Sequence, residues 1–195
     1  MATHPARRGW SYAEFRRLPD DGNRYEVIDG ELFVTPSPLT IHQKIVGRIF
    51  AAIEAFCEEH GAGTVLFAPC DVIFGEGDYL EPDLVFVRRD REEIIGERGI
   101  EGPPDLVVEV LSESTAMRDR GIKRDRYAGY GVPEYWIVDS DAKAIEVYRL
   151  IQNDLRRTQI ARDVLSWSPG VDGPELLLDV PHLLRPLKDH SRSSR

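Results

Sequence analysis

Cysteine is scarce in this chain. Only Cys57 and Cys70 occur among 195 residues, with no CxxC pair and no zinc spacing, which excludes a disulfide framework or a zinc module. Both are expected to be reduced thiols, with Cys57 on the apolar side of a helix. No apolar run approaches the ~20 residues that cross a bilayer. Met1 to Trp10 has charges but no apolar stretch behind them, so no secretory signal is read there and a cytoplasmic location is expected. Positive charge is also short: 25 Lys and Arg stand against 34 Asp and Glu, a net charge of -9. That argues against a protein that coats nucleic acid nonspecifically, because such binding runs on neutralising phosphates. The chain has no internal repeat, and its one biased segment is the Ser/Arg tail Ser191 to Arg195.

What is present fits one globular domain. Hydrophobic residues make up 42%, and a chain of this length buries a core without disulfides. A flexible start over 1–9, a single domain over 10–184 and a disordered basic tail over 185–195 are expected. Basic residues concentrate in Arg118 to Arg126, which holds five basic and two acidic residues. A local positive strip on an acidic body can guide a phosphate.

Local signals order the elements. Ser11-Tyr12-Ala13-Glu14 has the form of a capping box opening a short helix before Pro19. Arg24 to Ile28 alternates polar and apolar residues, Asp29-Gly30 signals a type I′ turn, and Glu31 to Val34 returns as a hairpin. Ile41, Ile45, Val46, Ile49, Ile53 and Phe56 recur at helical spacing over Thr40 to Glu59, with Gly61 and Gly63 beyond. Strands are expected at Val65–Ala68, Val72–Phe74 and Leu84–Val87. Leu106 to Leu111 is apolar except for Glu109 and reads as a strand buried on both faces. Ser112 or Ser114 is expected to cap a helix over Thr115–Tyr130, ended by Gly131 and Pro133. Tyr135–Val138 and Ala144–Leu150 follow as strands. Strand, helix, strand over Leu106 to Val138 implies a parallel crossover and a mixed sheet. Beyond Leu150 the pattern gives strands, turns and a short helix in no clear order.

Three polar positions stand out. Glu109 lies inside the most apolar segment, and an unpaired carboxylate there must be neutralised, paired or bound to metal. Meeting an arginine at a sheet edge is its structural alternative. Asp83, in Glu81-Pro82-Asp83, directly precedes an apolar strand. Lys123 lies ~12 Å along the following helix, and Glu109 roughly 7–10 Å below its strand's end, so a helix packed back antiparallel brings them level. An i,i+4 pair with Asp119 on a solvated face is the alternative for Lys123. Hard cations such as Mg²⁺ prefer carboxylates plus water. Bound metal activates water and polarises a phosphate. An adjacent lysine stabilises developing charge or helps deprotonate water.

These residues occur within longer motifs. Arg24-Tyr25-Glu26-Val27-Ile28-Asp29-Gly30-Glu31, the Pro-Ser-Pro before His42-Gln43, Pro82-Asp83, Pro104 to Ser112, Lys123 with Tyr127, and Gly131 to Asp139 resemble, in order and spacing, the Uma-type restriction endonucleases of the PD-(D/E)XK nuclease-like superfamily. The resemblance covers about residues 10–184. It implies an α/β fold with a restriction-endonuclease-like mixed sheet flanked by helices, and an N-terminal hairpin. It implies Asp83 and Glu109 as ligands of Mg²⁺ or Mn²⁺. The superfamily's lysine position two residues after the second acid is Leu111 here, and the lysine is displaced to Lys123. Glu113 departs from the family's usual proline. Glu26, His42 and Tyr127 match positions near the site and are secondary candidates. Taken alone, they read as a hairpin surface charge, a helix-start residue and a packing tyrosine.

The resulting expectation is a divalent-metal-dependent DNA phosphodiesterase. Asp83, Glu109 and Lys123 are the catalytic set, and Arg118, Arg120, Arg124 and Arg126 guide the backbone. A homodimer and a separate specificity partner are expected. The alternatives are a non-catalytic binding or assembly module on the same fold, and hydrolysis of a small phosphoester.

Overall fold

A computed structural model describes residues 9–75, 77–170 and 173–187. The expected start over 1–9 and tail over 185–195 lie mostly outside that range. The chain opens with helix α1 (Tyr12–Phe15), where Ser11 and Glu14 satisfy each other's backbone N–H groups in the capping box. The hairpin follows as β1 (Arg24–Ile28) and β2 (Glu31–Thr35), paired from Arg24–Thr35 to Ile28–Glu31. Asp29 and Gly30 both have positive φ, 55° and 75°, as a type I′ turn demands. Helix α2 (Thr40–His60) buries Ile45, Val46, Ile49, Ile53 and Phe56, with Cys57 on the same face, and ends on a left-handed Gly61.

Three further strands lie between α2 and Asp83: β3 (Gly63–Phe67), β4 (Val72–Gly75) and the short β5 (Asp78–Leu80). Strand β6 (Leu84–Arg88) begins immediately after Asp83, and a 3₁₀ turn over Arg89–Ile94 leads to β7 (Ile95–Gly96) and β8 (Gly99–Glu101). Strand β9 (Leu106–Val110) is buried at every position. The helical segment after it runs through α3 (Ala116–Arg118), one π-helical stretch (Asp119–Lys123) and α4 (Arg124–Gly129). The chain completes with β10 (Glu134–Asp139), β11 (Ala144–Ile151), β12 (Asp154–Ala161), the hairpin of β13 (Val164–Trp167) and β14 (Leu176–Asp179), and α5 (Val180–Leu184).

The expected mixed sheet is built on β9 and β10, which pair in parallel with Glu109 beside Ile137. Its order is β12-β11-β10-β9-β6-β3, antiparallel elsewhere. A second six-stranded sheet, β2-β1-β5-β4-β8-β7, was not foreseen. The N-terminal hairpin therefore forms one edge of a larger layer. Its remaining strands are two to four residues long, too brief for an alternation signal.

Alternate residues of the central strands face two different cores. Leu84, Phe86, Leu106, Val108, Val110, Trp136 and Val138 pack with α2, Trp167 and α5. Val85, Val87, Val107, Tyr135 and Ile137 pack with Ile28, Leu80, Tyr127 and Val132 on the other side. The two-faced burial explains why these strands read as continuous apolar runs.

Two local expectations need correction. Neither Ser112 nor Ser114 caps the helix by its side chain: Thr115 occupies the N-cap position, and the three hydroxyls bond to one another. The segment over Thr115–Tyr130 is also not a uniform α-helix. Its π stretch widens the turn, and both Asp119 and Lys123 within it are buried. The alternative offered for Lys123, an i,i+4 pair with Asp119, is present at 3.8 Å but buried rather than solvated.

Candidate active site

The site forms where β6 begins and β9 ends. Leu84 pairs with Val108 across these antiparallel strands, which carries Asp83 opposite Glu109. Strand alternation turns both side chains to the face covered by the π-helical segment. Both are buried, with Glu109 only 4% exposed. They line a cleft of about 500 Å³ together with Arg24, Glu26, His42, Glu81, Asp119 and Lys123.

Lys123 stands at the centre of the carboxylates. Its Nζ lies 2.6 Å from Glu109 Oε1, 2.7 Å from Glu26 Oε1 and 3.8 Å from Asp119 Oδ1. The hydroxyl of Tyr127 donates to the same Glu109 oxygen at 2.9 Å. Glu26 reaches in from β1 and also accepts the Glu81 backbone N–H at 3.1 Å, tying the second sheet to the site.

Asp83 is held from three sides. Its Oδ2 accepts the backbone N–H of Val110 at 2.8 Å and lies 3.0 Å from His42 Nε2. The same His42 nitrogen is 2.9 Å from the Val110 carbonyl oxygen. Both partners are acceptors, which assigns the proton to Nε2. Among the described residues Asp83 Oδ1 faces Arg24 alone, at 2.7 Å from Nη1, and Arg24 Nε is 3.1 Å from Glu81.

Burial and neighbouring charge set the protonation of this cluster. Burial pushes the Glu109 carboxyl well above its ordinary range; Lys123 opposes that shift, while Asp119, Asp83 and Glu26 add to it. Asp83 goes the other way: burial would raise it, but the His42 contact and Arg24 hold it below the usual carboxylate value. Burial also raises Asp119 and lifts Glu81 to about 7. For Lys123, burial acts to lower the ammonium's pKa, yet Glu109, Glu26 and Asp119 outweigh it and raise it. Lys123 is therefore a fixed cation and not a base.

The cleft is lined by six acidic side chains, with Glu113 the sixth, against Arg24, Arg118, Lys123 and His42. Raised carboxyl values relieve this excess by taking up protons, and a divalent cation would relieve it too. The donor chemistry fits Mg²⁺ or Mn²⁺, since every anionic donor is a hard carboxylate oxygen. Among the described residues, Asp119 Oδ1 and His42 Nδ1 are buried with no hydrogen-bond partner, so both side chains keep unused polar capacity. Among the described residues no three His, Cys, Asp or Glu side chains are already spaced around a metal position. Lys123 sits on Glu109 Oε1 and Arg24 on Asp83 Oδ1.

The candidates from sequence divide as follows. Asp83, Glu109, Lys123, Glu26, His42 and Tyr127 come together. Of the four arginines expected to guide a phosphate backbone, Arg118 lines the cleft, bonded to the Thr35 hydroxyl at 2.5 Å and lying over Phe33. Arg120 instead bonds Glu146 and Asp139, Arg124 pairs with Asp125, and Arg126 pairs with Asp29 and Asp78. Sequence reasoning missed Arg24 and the inward position of Asp119. Arg24 was within reach: it stands two residues before Glu26 in a strand, hence on the same face.

A mixed central sheet ending in paired carboxylates, flanked by helices, defines an α/β protein with the restriction-endonuclease-like fold. Consistent with that class, a family model described as "Putative restriction endonuclease", Uma2, matches residues 12–180, and the chain belongs to this family. The fold is shared with a crystal structure from Anabaena variabilis described as "a putative nuclease belonging to DUF820". That protein is 18% identical, with a TM-score of 0.72 over 90% of this chain and 97% of the other. No curated protein matches the chain.

Proposed function

We propose that this protein is a divalent-metal-dependent endonuclease that hydrolyses DNA phosphodiester bonds. The observation that carries the reading is the buried Asp83–Glu109 pair across β6 and β9, with Lys123 Nζ at 2.6 Å from Glu109. Family membership and the nuclease description of the similar structure support it.

Asp83 and Glu109 would hold Mg²⁺ or Mn²⁺. When bound, the ion would supply an activated water and polarise the phosphate. The chain's own groups do the rest. Lys123, kept protonated by three carboxylates, offers fixed positive charge to the oxygens on which negative charge develops. Tyr127 orients Glu109, and His42 orients Asp83 while fixing the end of β9 through Val110. Glu26 anchors Lys123 and leaves its position independent of substrate. Of the four arginines expected to guide a phosphate backbone, Arg118 is the one that lines the cleft.

A non-catalytic module is the second reading. It is favoured by the net charge of -9 and by the engagement of Arg120, Arg124 and Arg126 in ion pairs with the protein's own acids. Calorimetry with Mn²⁺ at pH 7 tests the choice. Binding by the wild type that disappears in D83A and E109A supports the nuclease, and cleavage of duplex DNA follows as the activity assay. A wild type that binds no Mn²⁺, with or without a DNA duplex, selects the non-catalytic module. The homodimer belongs to the same proposal, since two sites reach both strands. A sedimentation mass of 22.1 kDa, that of one chain, would refute it.

A further inference from the structure

The two oxygens of Asp83 are engaged differently. Oδ2 accepts the Val110 N–H and faces His42 Nε2, so it helps hold the end of β9 in place. Among the described residues, Oδ1 faces only Arg24 Nη1, at 2.7 Å. An Asp83 that keeps its backbone anchor and also ligates a cation must therefore use Oδ1, the oxygen that Arg24 covers.

Arg24 is also the cation of this cluster best able to move. Lys123 is 3% exposed and shared by three carboxylates. Arg118 is tied to Thr35 and Phe33. The Arg24 side chain is 21% exposed, at the cleft wall, and its Nε is separately tethered to Glu81 at 3.1 Å. Turning about that tether frees the fork of the guanidinium without losing its second carboxylate. A planar fork of N–H donors matches phosphate oxygens in pairs, as an ammonium does not.

We propose that Arg24 is a phosphate-binding residue held in reserve: it occupies Asp83 Oδ1 while no divalent cation is bound, and turns to a substrate phosphate once a cation takes that oxygen. The inference rests on the metal-dependent reading above and adds a residue to it. It also gives the site an order of loading, cation before phosphate, because the same group that opposes the cation then binds the anion.

The test compares wild type, R24Q and R24K by calorimetry. Mn²⁺ alone is titrated first, then thymidine 5′-monophosphate at saturating Mn²⁺. Removing a unit charge next to a ligand oxygen should tighten Mn²⁺ binding in R24Q about tenfold or more. The same variant should bind the nucleotide about tenfold more weakly. The opposite signs separate this role from a scaffolding one, in which loss of Arg24 would disorder Asp83 and weaken both. Mn²⁺ binding in R24Q that is unchanged or weaker overturns the proposal, as does unchanged nucleotide binding. If R24Q does not fold, R24K decides. The single ammonium of R24K cannot reproduce the planar fork whose Nε meets Glu81 and whose Nη1 meets Asp83, so the nucleotide should bind at least about threefold more weakly; equal nucleotide affinity overturns the proposal. A wild type that binds no Mn²⁺ removes the parent reading along with it, whereas a wild type that binds and variants that do not differ remove only the role of Arg24.

Discussion

Lys123 Nζ lies 2.6 Å from Glu109 Oε1, and the same nitrogen lies 2.7 Å from Glu26 Oε1. One buried ammonium thus joins the central strand β9 to the hairpin strand β1, which belong to different sheets. Removing that charge and removing one of its acids should have opposite effects on stability.

For K123M, the buried Glu26, Glu109 and Asp119 lose their shared cation. Breaking a buried pair by deleting one partner costs about 3–5 kcal/mol. The variant should therefore show a much lower urea midpoint than wild type. A midpoint within experimental error of wild type would mean that the carboxylates are already protonated at the working pH.

For E109Q, the shape of the side chain is kept and one negative charge leaves a cluster rich in them. Lys123 retains Glu26 and Asp119. Stability at pH 7 should be equal to or above that of wild type, while Mn²⁺ affinity drops by at least ~100-fold, the scale of losing ~3 kcal/mol of a ligand's interaction. A strong fall in stability would show that Glu109 serves the fold and not the cation.

Tyr127 offers a gentler probe. Its hydroxyl donates to Glu109 at 2.9 Å within a fully buried setting. Y127F should cost about 1–3 kcal/mol, the range for leaving a buried acceptor short of a donor. Thermal denaturation of the metal-free protein measures it, and a loss below ~0.5 kcal/mol would indicate that Lys123 alone satisfies that oxygen.

The two thiols give a pH dependence away from the site. Burial, followed by Glu54 and Glu92, pushes Cys57 up to about 11. Burial, followed by Asp71 and Glu81, does the same to Cys70. Raising a thiol's pKa lowers its thiolate fraction at any pH below it. At pH 8 only ~0.1% of each is the nucleophile, against roughly a quarter for a free thiol near 8.5. Alkylation of the native protein should be slow at pH 8 and rise about tenfold per pH unit towards 11. Rapid labelling at pH 7 would contradict both values.

Much of this was legible in the chain. The capping box at Ser11 and Glu14, the turn at Asp29-Gly30 and the face of α2 follow from local rules that need only neighbouring residues. Glu109 announced itself because an acid in a fully apolar strand has few affordable fates. The meeting of Lys123 with Glu109 followed from rise per residue once the helix was taken to pack back antiparallel to its strand. The second sheet did not follow. Its strands β5, β7 and β8 hold two or three residues each, and such segments form only because neighbours pair with them, β5 between β1 and β4 and β8 between β4 and β7. The π stretch escaped for a related reason: the four-residue spacing of Asp119 and Lys123 fits a solvated α-helical pair equally well, and only tertiary packing buries both.

The sequence by itself determined which residue types could do chemistry, which face of each long element is apolar, and that Glu109 needs a partner. These are properties of single residues and short spacings. Tertiary structure decided which charges meet. Arg24 covers Asp83, Glu26 shares Lys123, and Arg120, Arg124 and Arg126 are drawn to the protein's own acids. A charge pairs with whatever opposite charge the fold brings within a few ångströms, and that proximity depends on how distant elements pack, which no local spacing records.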